Sequence, residues 1–223
     1  MLIVISGEQP TAEPADYSVP HQGRTHALRR ILGSAITWFS VSSAIILLAS
    51  ALLSVMAVGG SCASGGPYEI AVECPDNAWL APVSIIGGLI GIFTGLVIAG
   101  GFGVSVVGFG WLALFGGLGS IFLAGFFVAG DTTGLIVGIV FVIMGIVPIS
   151  GQLIGAPRQT MLGRIRATGE QYFTTKKEYD DLTRINAPKA ATLVRPRALD
   201  WMLSLGVWIG ASALGAWVAS LAF

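Results

Sequence analysis

The stretch Ala81-Pro-Val-Ser-Ile-Ile-Gly-Gly-Leu-Ile-Gly-Ile-Phe-Thr-Gly-Leu-Val-Ile-Ala-Gly100 decides the fold. It contains no charged side chain. About 20 apolar residues in a helix cover the roughly 30 Å of hydrocarbon in a bilayer. Backbone groups in lipid must pair within the protein, and a run this long without strict alternation does so as a helix, not as a barrel strand. Runs of the same character cover 31–58, 104–129, 133–155 and 201–221. The composition follows from them. Hydrophobic residues make up 54% of the chain and charged residues 11%, where ordinary globular domains carry about a quarter charged. The expected fold is all-α, a polytopic transmembrane helix bundle of five spans. It divides into a flexible tail (1–30), a four-helix membrane region with an outer loop (31–155, loop 59–80), a basic cytoplasmic segment with one short helix (156–199) and a fifth span (200–223).

The second, third and fourth runs are joined only by Gly100-Gly101-Phe102-Gly103 and Ala129-Gly130-Asp131-Thr132. Joints this short make tight helical hairpins. Orientation follows from the basic residues, which concentrate in cytoplasmic loops. Arg24, Arg29 and Arg30 precede the first run. Arg158, Arg164, Arg166, Lys176, Lys177, Arg184, Lys189, Arg195 and Arg197 lie between the fourth and the fifth, which accounts for all 12 Lys and Arg of the chain. The other loops hold Glu69, Glu73, Asp76 and Asp131 and no basic residue. The expected topology therefore has a cytoplasmic N-terminus and an external C-terminus in the cell membrane. The formal net charge of zero hides this asymmetry. Arg158, Arg164, Arg166, Lys176, Lys177, Arg195 and Arg197 form a positive surface suited to anionic inner-leaflet lipid, at about 1 kcal/mol per basic residue. No basic patch interleaved with aromatics points to nucleic acid.

Both cysteines, Cys62 and Cys74, fall in the outer loop. An oxidising compartment favours one disulfide between them, which would restrict the unfolded loop by about 3 kcal/mol in the chain-entropy picture. A lipoprotein box would want an aliphatic residue where Gly59 stands, three before Cys62. Two thiols without a nearby His make half a zinc site. The run Gly60-Ser-Cys-Ala-Ser-Gly-Gly-Pro-Tyr-Glu-Ile-Ala-Val-Glu-Cys-Pro75 resembles a segment of uncharacterised multi-pass membrane proteins of high-GC Gram-positive bacteria. The resemblance covers this loop and the flanking helix pair. It implies the same membrane topology and no activity.

The sequence offers little for catalysis. Ionisable groups inside spans are functional candidates by default because they are costly there, and the middles of the five runs contain none. The runs also lack His, which excludes haem held by paired intramembrane histidines. No Gly-x-Ser-x-Gly, His-Glu-x-x-His or Gly-x-x-x-x-Gly-Lys pattern occurs. The expectation is no catalytic residue, no cofactor, no metal and no enzyme activity.

Glycines carry the remaining signal. Gly87, Gly91 and Gly95 recur every four residues, as do Gly134 and Gly138, and Gly206 and Gly210. Small residues at this spacing let helix backbones approach in lipid, either within the chain or against a partner. Pro148 interrupts the fourth run and frees a carbonyl that Ser or water can satisfy. Asp200 stands where it can cap the fifth helix. The reading that accounts for these features is a non-catalytic accessory, assembly or scaffolding subunit of a cell-envelope complex, with the bilayer and another membrane subunit as partners. The alternative is an oligomeric transporter or channel component lined by Thr94, Ser120, Ser150 and Gln152.

Overall fold

The computed structural model describes residues 28–58, 73–130, 132–164, 171–173, 177, 180–181, 184 and 193–222. The helices are α1 (Leu28–Ala57), α2 (Leu80–Ala99), α3 (Val106–Trp111), α4 (Gly117–Ala129), α5 (Thr132–Gly155), α6 (Pro157–Leu162) and α7 (Ala198–Ser220). Leu112–Gly116 winds as a π-helix that joins α3 and α4 into one rod. Five helical segments are long and apolar enough to cross a membrane: α1, α2, the rod over Val106–Phe127, α5 and α7. This is the architecture of a multi-pass membrane protein. Only 11% to 22% of each span's most apolar window is buried within the chain, so the apolar surface points outward. The buried set instead includes Ser34, Thr37, Ser84 and Ser204.

Glycine ends the helices where the sequence predicts turns. Gly100 takes φ 58° after α2 and donates its N–H to the Leu96 carbonyl. Gly130 does the same after α4, at φ 71°, to Phe126. A left-handed residue closing a helix in this way is the usual glycine role. The first helix starts earlier than the apolar run, at Leu28, which brings Arg29 and Arg30 inside it; Arg30 is buried.

The bundle has two halves. Helix α1 lies between α2 and α7, while α5 packs on α4 and on the π-helical turn. The contact between α1 and α2 is very close. A Cβ on Gly95 would stand 2.7 Å from the Gly33 carbonyl oxygen, and one on Gly88 would stand 2.6 Å from the Ala44 Cβ. The halves meet in a cluster of Trp38, Val41 and Val104, with Phe109 and Trp208 packed against it. The Trp208 ring lies 5.8 Å from that of Trp38 and 5.0 Å from that of Phe109. Trp38 Nε1 donates to the Val104 carbonyl at 3.2 Å, which satisfies its polar edge within the apolar cluster.

Helix α5 ends at Gly155. Ala156 leaves the helical region at φ −145° and ψ 62°, and Pro157 opens the separate α6. The residue before a proline is pushed away from helical angles by the ring, and a proline in first position is well placed to start the next helix. Within the 156–199 segment, Gln171–Tyr172 (β1) pairs in parallel with Leu193–Val194 (β2). The short helix expected within this segment falls largely outside the described residues, although Lys177, Asp180, Asp181 and Arg184 are helical. The tail 1–27 and the loop 59–72 also lie outside them.

Candidate functional site at the α6 end of the bundle

Polar contacts among the described residues concentrate where α6 folds back on the bundle. The Gly103 N–H donates to the Leu162 carbonyl at 2.9 Å and the Ser105 N–H to the Thr160 carbonyl at 2.8 Å. Phe102 and Gly163 form an antiparallel bridge. Gly163 adopts φ 84° and ψ −177°, a region open essentially to glycine alone. A Cβ there would also meet the backbone of Gly101 and Gly103. Glycine is therefore required at 163 on two separate grounds.

The side chains of this end extend the clasp to other elements. Thr160 Oγ1 lies 3.0 Å from the Gln152 carbonyl and 2.8 Å from that of Ala156, which returns α6 to the end of α5. Ser105 Oγ caps α3, accepting from the Gly108 N–H at 3.4 Å, and donates to Gln152 Oε1 at 3.1 Å. Ser204 Oγ, on α7, donates to the Met161 carbonyl at 2.6 Å. Gln159 Nε2 donates to the Tyr172 carbonyl at 3.2 Å. Arg158 donates to the Phe173 carbonyl at 3.4 Å and stacks its guanidinium 4.7 Å from that ring centre. Leu162 and Tyr172, both fully buried, pack with Trp201 beneath. Asp200 caps α7 as expected, accepting from the Arg197 N–H at 2.7 Å.

Beside this clasp lies a cleft of about 920 Å³ between the second half of α2 and the start of α3. Phe93, Val97 and Val107 form its apolar walls; Ser105, Gln159 and Arg164 stand at its α6 end. A second groove of about 580 Å³ runs between α1 and α7, lined by Ile36, Phe39, Gly206, Gly210 and Leu214 among others. No group of three or more His, Cys, Asp or Glu comes together among the described residues.

The glycine faces divide. Gly91 meets the Ser40 side chain, and Gly95 meets the backbone of Thr37 and Gly33. A Cβ on Gly138 would stand 2.7 Å from Leu123 of α4, and Gly134 is buried in α5. Gly87, Gly206 and Gly210 stay outside these contacts: a Cβ on any of them would meet nothing within 4 Å. The close contact on α2 runs through Gly88 in place of Gly87. On α7 it runs through Gly215, whose added Cβ would lie 2.5 Å from the Phe39 carbonyl. The partner face on α1 is Gly33, Thr37, Ser40 and Ala44. Its small residues at steps of three and four were visible in the sequence and are the signal that finds it.

Of the basic residues, Arg158 belongs to the clasp, whereas Arg164, Lys177, Arg195 and Arg197 are exposed. Arg166 and Lys176 lie outside the described residues. Cys74 is followed by the turn that leads into α2, and Asn77 in that turn donates to Ser54 Oγ of α1 at 2.8 Å. Cys62 lies outside the described residues. Three of the four polar residues Thr94, Ser120, Ser150 and Gln152 have local partners. Ser120 bonds back to Gly116 and Ser150 to Val147, each on its own rod, and Gln152 turns to Ser105. No protein-family model matches the chain, and no curated protein and no solved structure matches it either.

Proposed function

We propose that the protein is a non-catalytic accessory, assembly or scaffolding subunit of a cell-envelope membrane complex. The observation that carries this reading is the open face of Gly206 and Gly210. Several glycines of the bundle serve close helix contacts, namely Gly33 and Gly95, Gly119 and Gly138, and Gly215 against α1, while others, such as Gly87, Gly125 and Gly151, stand open. The pair on α7 is also spaced by four, and among the described residues no helix stands against it, at the floor of an apolar groove. Small residues at this spacing are what a second transmembrane helix needs for close approach in lipid. The transporter alternative has less support, since the hydroxyls of Ser120 and Ser150 are spent on carbonyls of their own helices.

In this reading the N-terminus and the 156–199 segment are cytoplasmic, and the C-terminus is external. Arg158, Arg164, Arg166, Lys176, Lys177, Arg195 and Arg197 face the anionic inner leaflet, and Cys62 pairs with Cys74 on the outer surface. The segregation of basic residues along the chain supports the orientation. The test is purification of the full chain from its native membrane at low detergent. A defined, stoichiometric assembly with a second membrane protein agrees with the proposal, and a monomer under those conditions contradicts it.

A further inference from the structure

We infer that the cleft between α2, α3 and α6 is a binding site for one anionic phospholipid. The phosphate would sit against Arg164 and Gln159, and an acyl chain would lie along Phe93, Val97 and Val107. The lining divides as a lipid does. Phe93, Val97 and Val107 are 63%, 73% and 66% exposed, so the cleft opens sideways onto the surface that faces hydrocarbon. Its other end lies where α2 and α5 stop, at Ala99 and Gly155. That is the level at which a span gives way to headgroups.

Charge selects the ligand. Among the described residues that line the cleft, Arg164 is the one charged side chain and none is acidic. That described lining carries net positive charge at this end and favours a phosphate that retains its own negative charge. A guanidinium presents several donors to phosphate oxygens. Gln159 Nε2 uses one N–H on the Tyr172 carbonyl and has a second to offer. The scaffold is also rigid at this point. Gly103 and Ser105 are tied to Leu162 and Thr160 by backbone hydrogen bonds, so the floor is formed before a ligand arrives. Preorganisation of this kind lowers the cost of binding.

The inference rests on the membrane-embedded reading and is independent of the accessory-subunit role. That role is read out in partner retention, so failure of one leaves the other standing. The experiment is native mass spectrometry of the full chain released from micelles doped with equal phosphatidylglycerol and phosphatidylcholine. The wild-type chain should retain one phosphatidylglycerol in preference to phosphatidylcholine. Arg164→Gln should reduce that preference roughly fivefold, the factor that one basic residue contributes at an anionic lipid surface. Val97→Trp, which fills the apolar end, should reduce retention of both lipids. Lys177→Gln, exposed and outside the cleft, should change neither. Unchanged preference in Arg164→Gln overturns the site. An equal loss in Lys177→Gln also overturns it, because the attraction would then be a property of the whole basic surface. Thermal unfolding of each variant separates loss of the site from loss of the fold.

Discussion

Trp111 Nε1 donates to the Met144 carbonyl at 3.0 Å. Met144 stands four residues before Pro148 in α5, and Pro148 lies inside the helix. A proline has no N–H, so the carbonyl one turn earlier loses its helical donor. The indole of the neighbouring rod supplies it instead. Trp111 is the last residue before the π-helical turn Leu112–Gly116, and its ring lies tilted against Phe115 with centres 4.4 Å apart. Phe115 in turn lies 5.8 Å from Phe141 of α5. The proline of one helix and the irregular turn of the other thus meet in one contact. In lipid, where water is absent, an unpaired carbonyl costs more than in a wet loop.

Trp111→Phe keeps the ring contact and removes the donor. It should destabilise the detergent-solubilised protein by about 1–3 kcal/mol, the cost of leaving an acceptor unpaired away from water. Pro148→Ala restores an N–H to Met144, so Trp111→Phe should cost less in that background. A double-mutant cycle of thermal stability reads this coupling. Additive effects would separate the tryptophan from the proline.

The glycines of α2 should rank by what a side chain would meet. Gly95→Leu must push the backbones of α1 and α2 apart and should cost the upper end of the about 1–3 kcal/mol typical of overpacking, or more. Gly91→Leu meets the Ser40 side chain, which can turn away, so its cost should be smaller. Gly87→Leu faces open space and should leave thermal stability unchanged. An equal loss at Gly87 and Gly95 would place the helix contact on a different face.

Gly163→Ala should detach α6 from the α2–α3 turn. Its backbone conformation alone costs about 1–3 kcal/mol for a residue with a Cβ, and the added atom meets the backbone of Gly101 and Gly103. Hydrogen exchange should quicken at Gly103 and Ser105, whose N–H groups are held by α6. Gly155→Ala, with nothing within 4 Å, serves as the control. Unaltered exchange in Gly163→Ala would mean that the clasp does not depend on this residue.

Topology and loop chemistry are checked on the intact cell. A cysteine introduced at Lys177 should resist a membrane-impermeant thiol reagent, and one introduced at Asp131 should react. Peptide mapping of unreduced protein should recover Cys62 linked to Cys74. The reverse labelling pattern contradicts the orientation, and two free thiols contradict the disulfide.

The five spans were legible because a bilayer demands length and apolarity, and both are read residue by residue. The glycine contact was only partly legible, and helix geometry explains the error. At 3.6 residues per turn, Gly88 and Gly95 point within about 20° of each other, whereas Gly87 and Gly95 diverge by about 80°. A strict step of four therefore drifts off the contact, and Gly88 takes the place expected of Gly87. The freed carbonyl follows from Pro148 in the sequence, but its expected donor was Ser or water. Trp111 lies 33 residues away in sequence, and only the packing of the two rods brings it there. The clasp around α6 was not legible at all. Its central bonds join the backbone of one short segment to that of another, and the side chains that extend it reach backbone carbonyls, so no side-chain pattern announces the pairing.

The central claim is that Gly206 and Gly210 receive a helix from a partner. The direct measurement compares wild type with the Gly206→Leu, Gly210→Leu double variant, purified in parallel from native membrane. Thermal stability of the isolated chain and the amount of copurifying subunit are read on the same preparations. The account predicts unchanged stability of the chain, because a Cβ at either position meets nothing within 4 Å, together with loss of the partner. Retention of the partner at wild-type stoichiometry would contradict it.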